Sequence, residues 1–459
     1  MNNLKNCVFP KRIFWFLIGF TLLLLFINFT TLSIKASNST DYKFTEDVQK
    51  AELSNGITVL LRENPAFDIV ALAAVSNVGY KHEPQEMAGL NYLSQNMLLT
   101  GTDNRTSAEI DEDIESLGIN FDASTSYEYS ILSLQTTTNT FRDGLEIYFD
   151  LWKNSVFAEE ELESEKNFAQ NELDARKDNP VNEAVFNFLE LYYDDHPYGQ
   201  PIEGSREGHQ AIEVEHVKEW NQIIYNPENI VISVVGNIDI DDTVNILEEK
   251  IGNWTVNNNL NLKPEEPEFN PPQENQQKTV ERITEASWLI LGHGAPSALE
   301  KDSAAMRVLN AILGEGMDSR LFRNIREEGL AYSTGSSYES FYGPAVMFTF
   351  TGTQATQVEN VQSKIKDELA RFVEDQVKKE ELNNAREYIK GQFLIDNETC
   401  MSQAVSMAAY EVMDRGYSWL DEYPSIIDQV TAEDIKEVAD EYFNAPVIDS
   451  RVLEGDLGL

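Results

Sequence analysis

A break near the middle of the chain most limits what it can fold into. Residues 257–277 hold four prolines, a run of asparagines and glutamines and almost no apolar periodicity, the composition of an interdomain linker. On either side, segments of the same kinds follow one another. Before the break, two short strands flank the turn Ser54-Asn55-Gly56 within residues 48–65, and an apolar strand follows at 68–76. Helical spacing runs through 89–101 and 106–117, and alternation through 119–137 predicts a hairpin. Helices are predicted at 141–152, 158–178, 181–193, 214–225 and 241–251, with a strand at 229–236. After the break come a strand at 287–292, a helix at 302–313 and strands at 332–340 and 345–352. Helices follow at 358–374, 379–395, 402–415 and 432–442. This order predicts two α+β units of ~200 residues, spanning 37–256 and 278–459.

The first 36 residues read as targeting rather than fold. Lys5, Lys11 and Arg12 precede residues 13–32, which hold no charge, and Ala36 is a small residue at a position suited to cleavage. A signal peptide or membrane anchor follows from this, with the rest of the chain periplasmic, at the cell surface or secreted. Of the two cysteines, Cys7 lies in that segment and Cys400 in the body, so a cleaved chain has no internal disulfide and no cysteine-rich metal site. The net charge of −43 excludes nucleic acid and anionic lipid as natural partners. It suits basic peptides or a basic partner, and equally an adaptation to high salt.

Residues 89–102 read GLNYLSQNMLLTGT, with Leu90, Leu93, Met97 and Leu98 at helical spacing and Gly101 as a stop. Positions 92 and 96 share a helix face, so two imidazoles there could bind one zinc ion. A carboxylate at position 95 could take a proton from the metal's water. The residues present are Tyr92, Gln95 and Asn96. A phenol and an amide are poor zinc ligands, and a glutamine carries no proton-accepting charge. The reading is no metal, no general base and no cofactor.

This stretch resembles the zinc helix of the inverzincin peptidases, the pitrilysin, insulinase and mitochondrial processing peptidase-like family, whose frame reads G-x-A-H-x-x-E-H-M-x-F-x-G-T. Gly89, Met97, Gly101 and Thr102 stand in frame, while Tyr92 and Asn96 replace the histidines and Gln95 the glutamate. The stretches ELSNGITVLLREN, HPYGQPIEGSRE, YNPENIVISVVGNID and ILGEGMDSRLFRNIREEGLAYS resemble the family in the same order, so the likeness spans most of residues 48–457. It implies an α+β fold of two similar domains, each a mostly antiparallel sheet packed with helices, that form a clam-like chamber. The family's third zinc ligand belongs to a glutamate pair seven apart, which Glu165 and Glu172 match. Without the histidines these read as ordinary solvated helix carboxylates. The resemblance also implies that Arg326 and Tyr332 hold a substrate backbone, although their interval is one residue shorter than the family's. A purely structural role for both stays open.

The functional expectation is a catalytically inactive homologue, the substrate-binding subunit of a heterodimeric peptidase whose partner carries an intact H-x-x-E-H. The alternatives are a stand-alone peptide-binding or scaffold protein at a membrane surface, and an active zinc endopeptidase with ligands not evident in the sequence. His82, His196, His209, His216 and His293 offer no pair three or four apart and read as surface or locally satisfied residues. Asp194-Asp195-His196 is explained by turn chemistry before Pro197. The chain lacks G-x-S-x-G, a Walker loop and a Rossmann fingerprint, and Gly314-Glu315-Gly316 is too short to count as a phosphate loop.

Overall fold

The computed structural model describes residues 43–256 and 267–455. The basic and apolar N-terminal segment, and residues 257–266 of the expected linker, lie outside the described residues.

The chain builds two sheets in succession. In the first, β1 (Gln49–Glu52), β2 (Thr58–Glu63), β3 (Ile69–Ser76), β4 (Asn120–Thr125), β5 (Ser130–Thr137) and β6 (Ile230–Gly236) lie in the order β1-β2-β6-β3-β5-β4. Only β2 and β6 run parallel. In the second, β7 (Gln276–Arg282), β8 (Ser287–Ala295), β9 (Ser333–Glu339), β10 (Ala345–Thr353) and β11 (Ile448–Glu454) lie in the order β7-β11-β8-β10-β9, with only β7 and β11 parallel. The second sheet therefore repeats the first from β2 onward, strand for strand and direction for direction.

Helices α1 (Leu90–Asn96), α2 (Ser107–Leu117), α3 (Phe141–Asn154), α4 (Glu159–Asp178), α5 (Pro180–Tyr193), α6 (Arg206–Ala211), α7 (Val214–Ile224) and α8 (Ile240–Ile251) belong to the first half. The second holds α9 (Ser303–Gly314), α10 (Val358–Glu374), α11 (Lys379–Asp396), α12 (Cys400–Val412), α13 (Trp419–Gln429) and α14 (Ala432–Phe443). Among the described residues no helix is long and apolar enough to cross a membrane.

One helix from each half crosses to the other half's sheet. Leu60, Ala71, Ala73, Val75, Val231 and Val235 of the first sheet pack against Ala404, Met407 and Ala408 of α12. Ile290, Val346, Phe348, Ile448 and Val452 of the second sheet pack against Ala184, Phe188, Tyr192 and Tyr193 of α5. The opposite face of each sheet meets helices of its own half. Both faces being covered explains why β3 (IVALAAVS) and β6 (IVISVVG) are near-continuous apolar runs rather than alternating ones. Fully burying a side chain such as Phe188 or Met407 contributes ~1.5–3 kcal/mol, so the exchange ties the halves together energetically.

Four elements escaped the sequence reading, the short helix α6 among them. Strand β7 begins at Gln276, inside the expected linker, and its sequence QQKTVER alternates between half-buried and exposed positions, so it shows no apolar run. Strand β11 (IDSRVLE) carries an arginine and two acids, and α13 contains Pro424. Helix α12 begins at Cys400 rather than 402, because the Thr399 hydroxyl caps it by accepting from the Ser402 N–H at 3.0 Å. The expected linker is partly anchored too, with the Phe269 ring packed between Tyr192 and Tyr193.

Candidate functional site

Helix α1 follows β3 and is fixed at its start by backbone geometry. Gly89 caps it with φ +103°, and a Cβ there would come within 2.7 Å of the Glu203 carbonyl and the His209 ring. Only glycine fits this position. The Glu83 carboxylate completes the cap, accepting from the N–H groups of Gly89 (2.6 Å) and Asn91 (2.7 Å). Burial pushes the Glu83 carboxyl up to about 8, against the downward pull of these two donors. The Asn91 side chain pins the first turn by accepting from the Trp220 indole at 2.8 Å and donating to Ser130 at 3.0 Å.

The 3.6-residue period brings the expected positions together. The Tyr92 phenol donates to Glu172 Oε2 on α4 at 2.5 Å, and Asn96 follows one turn later on the same helix. Burial, followed by the Glu172 carboxylate, holds the phenol well above its ordinary pKa, so it stays protonated. Glu172 is thus half-buried and engaged, which corrects its reading as a solvated helix carboxylate; Glu165, two turns earlier, is half-buried as well. Gln95 is buried, with its carbonyl oxygen accepting from the Tyr225 hydroxyl at 3.2 Å. The Gln95 amide nitrogen and the neighbouring Ser94 hydroxyl have no partner.

These residues do not fit a zinc ion. The Tyr92 proton points at the one carboxylate in reach, the phenol cannot ionise readily, and the Gln95 oxygen is committed to Tyr225. Neutral oxygen donors locked to one another are the wrong donor set for zinc. Among the described residues no group of three or more His, Cys, Asp or Glu is placed to hold a metal.

Around α1 lies a shell that the sequence reading missed. Glu203 is buried and paired with Arg176, its second oxygen without a partner. His209 is buried between Gln170 (2.9 Å) and the Glu203 carbonyl (2.7 Å), and burial lowers its pKa. A cavity of about 910 Å³ opens beside this shell, lined by Glu83, Asp194, Asp195, Glu268 and Lys81 among others. The turn reading of Asp194-Asp195-His196 holds: the His196 ring accepts from the Tyr198 N–H at 3.2 Å. Only Glu83, six residues before a glycine-started helix, left a trace in the sequence. The others come from α4, the loop before α6 and α6 itself.

Arg326 and Tyr332 lie apart from this shell. Arg326 ends a wide helical turn over Phe322–Arg326 and is exposed, and Tyr332 is 56% exposed beside β9. Neither side chain forms a hydrogen bond or ion pair with α1, and neither lines the 910 Å³ cavity.

Comparison with known proteins matches this arrangement to one family. Residues 58–206 fit the profile described as Insulinase (Peptidase family M16), and residues 211–389 that of the Peptidase M16 inactive domain. An uncharacterized zinc protease of Bacillus subtilis is 28% identical over 398 residues, covering 86% of this chain and 96% of its own. One from Rickettsia bellii is 28% identical over 402 residues, with 87% and 96% covered. Among solved structures, a protease from Helicobacter pylori superposes with a TM-score of 0.81 at 20% identity, covering 88% of this chain and 99% of that one. A peptidase M16 inactive domain from Pseudomonas fluorescens gives 0.80 at 20% identity, with 89% and 98% covered. With both halves matched in order and the two-sheet fold shared, this chain belongs to the M16, or insulinase, peptidase family.

Proposed function

We propose that this chain is a non-catalytic member of its family that binds peptide as the partner subunit of a zinc-bearing homologue. The observation that carries the reading is the Tyr92–Glu172 hydrogen bond, which occupies the helix face where the family's resemblance implies histidines, with Gln95 where it implies a base. Arg326 and Tyr332 remain exposed and uncommitted, as groups that engage a peptide would be. A guanidinium donates to peptide carbonyls and a phenol to an oxyanion or carbonyl oxygen. The acidic lining of the 910 Å³ cavity and the net charge of −43 favour basic peptides. The basic and then apolar start of the chain supports a location outside the cytoplasm.

The test is affinity capture of the native protein from its own cells, with bound proteins identified and peptide turnover measured on the chain alone and on the captured pair. A stoichiometric homologue carrying H-x-x-E-H, active only in the pair, is the expected result. Turnover and retained zinc in the isolated chain would overturn it. Recovery of this chain with no such homologue assigns it instead to stand-alone peptide binding at a membrane surface.

A further inference from the structure

A second cavity, of about 590 Å³, lies far along the chain from α1, where the loop after β8, the start of α9 and the junction of α12 with α13 meet. Its charge is opposite to that of the cavity beside α1. There Asp194, Asp195 and Glu268 face the single Lys81, beside a Glu83 that burial keeps largely neutral. Here Lys301, Arg307 and Arg415 face the single Glu300, in a chain with 78 acidic and 35 basic residues.

The three cations are not equivalent. Arg307 is held by Glu315 at 2.6 Å, and Lys301 lies 3.8 Å from Asp302. Among the described residues Arg415 has no carboxylate partner. It is half-buried, its Nη1 donates to the Ala298 carbonyl at 2.5 Å, and its guanidinium lies 3.5 Å from the centre of the Trp419 ring. The Tyr342 phenol lies close enough to feel its charge. A guanidinium has five N–H donors in a planar fork, so this one keeps donors to spare. Glu300 does not answer it, because its carboxylate is turned to the Ser297 N–H at 2.5 Å.

Ser303 and Ala304, the first residues of α9, line the cavity as well, but the Ser303 N–H donates to the Glu300 carbonyl at 3.1 Å and the N-cap is the acidic Asp302, so Arg415 is the group left to meet an anion. The remaining wall is aromatic, with Trp419, Tyr410, Tyr423 and Tyr338. Burial pushes the Tyr338 and Tyr342 phenols up to about 12, so both are neutral at ordinary pH, and Tyr338 already donates to the Pro296 carbonyl at 2.5 Å.

We propose that this cavity is a binding site for a carboxylate joined to an aromatic or aliphatic body, with Arg415 holding the carboxylate and the rings holding the body. A volume of about 590 Å³ accommodates one large side chain and its terminus. Two sources share this chemistry, the C-terminal residue of a peptide and a small free carboxylic acid. The site requires neither a partner subunit nor any property of α1.

The experiment is calorimetric titration of the full chain with two N-acetyl dipeptides ending in phenylalanine, one with a free carboxylate and one with a carboxamide. The acid is expected to bind about tenfold tighter, as a charge-assisted pair predicts. Arg415→Gln is expected to abolish that preference and Arg415→Lys to restore part of it. Displacement of the bound acid by 3-phenylpropionate identifies a small free acid as a sufficient ligand, and failure to displace assigns the site to a peptide terminus. Equal binding of acid and amide, no binding of either at millimolar concentration, or a preference that survives Arg415→Gln overturns the proposal. The acid–amide comparison uses the native chain, so it decides the matter even if the variants fail to fold.

Discussion

The helix that follows the third strand of the first sheet and the one that follows the corresponding strand of the second occupy the same place in the topology, yet they bury different chemistry. Helix α9 buries Met306, Val308, Leu309, Ala311, Ile312 and Leu313, and one polar side chain within its length, Asn310. Helix α1 is shorter and buries Asn91, Ser94 and Gln95 beside Leu90 and Leu93. A buried polar atom left without a partner costs ~1–3 kcal/mol; α1 carries two, on Ser94 and Gln95, in seven residues, against one on the 12-residue α9, the Asn310 side-chain carbonyl oxygen. The second half is therefore built mainly for packing at this place. The first half bears a cost that packing alone does not explain, and keeps a polar shell where the family's chemistry would sit.

Breaking the tie between the halves should give the largest effect. Phe188→Ala on α5 is expected to lower stability by ~3–5 kcal/mol and Met407→Ala on α12 by ~2–5 kcal/mol. Because each helix packs on the other half's sheet, both variants should unfold in a single transition in calorimetry. Two transitions, only one of them shifted, would show that the halves are separable. Next in size is the triple variant Tyr92→His, Gln95→Glu, Asn96→His. With Glu172 already turned toward position 92, this variant should bind zinc and gain about 3 kcal/mol at a zinc concentration ~100 times the dissociation constant, reversed by chelator. A triple variant that melts identically with and without zinc would show that the shell around α1 has been lost along with its ligands.

A smaller contrast appears in acid. Each half buries a histidine, His209 against α1 and His293 on β8. Burial lowers both, and His293 to about 4 from 6.5. The unfolded chain therefore takes up a proton on His293 near pH 6.5 while the folded chain waits until about pH 4. Stability is full above pH 6.5 and is lost as the pH falls toward 4. Denaturant unfolding of His293→Phe across that window should show a flatter profile than the native chain, and an unchanged profile would place the acid sensitivity elsewhere. The smallest effect is expected for Gln95→Met with Tyr225→Phe. Either change alone strands a partner and should cost ~1–3 kcal/mol, whereas the pair replaces a long 3.2 Å bond and an orphan nitrogen with apolar contact and should lie within ~1 kcal/mol of the native chain.

What the sequence disclosed follows from how local each signal is. Strands β3 and β6 announce themselves because both faces are covered, and α1 because Leu90, Leu93, Met97 and Leu98 recur at helical spacing. Strands β7 and β11 stayed hidden because charged residues interrupt their few apolar positions and their partner strands are over a hundred residues away or unrecognised. At the site, the shared face of positions 92 and 96 was legible from the period alone. The engagement of Glu172 was not, since it depends on α4 docking against α1 across 80 residues of chain. The same holds for Glu203, Arg176 and His209, whose roles come from contacts between segments rather than from spacing within one.

The exchanged helices also set the order in which this protein can be finished. Helix α5 ends at Tyr193, but the sheet it covers lacks β11 until Glu454. Roughly 260 residues separate the two, an interval on the order of 10–50 s at synthesis rates of ~5–20 residues per second. Throughout that time the face bearing Phe188 and Tyr192 has no completed sheet to rest on, and the back of the first sheet waits for Met407. A nascent chain of this kind stays open and adhesive for most of its synthesis: the first half waits for α12 and the second for β11.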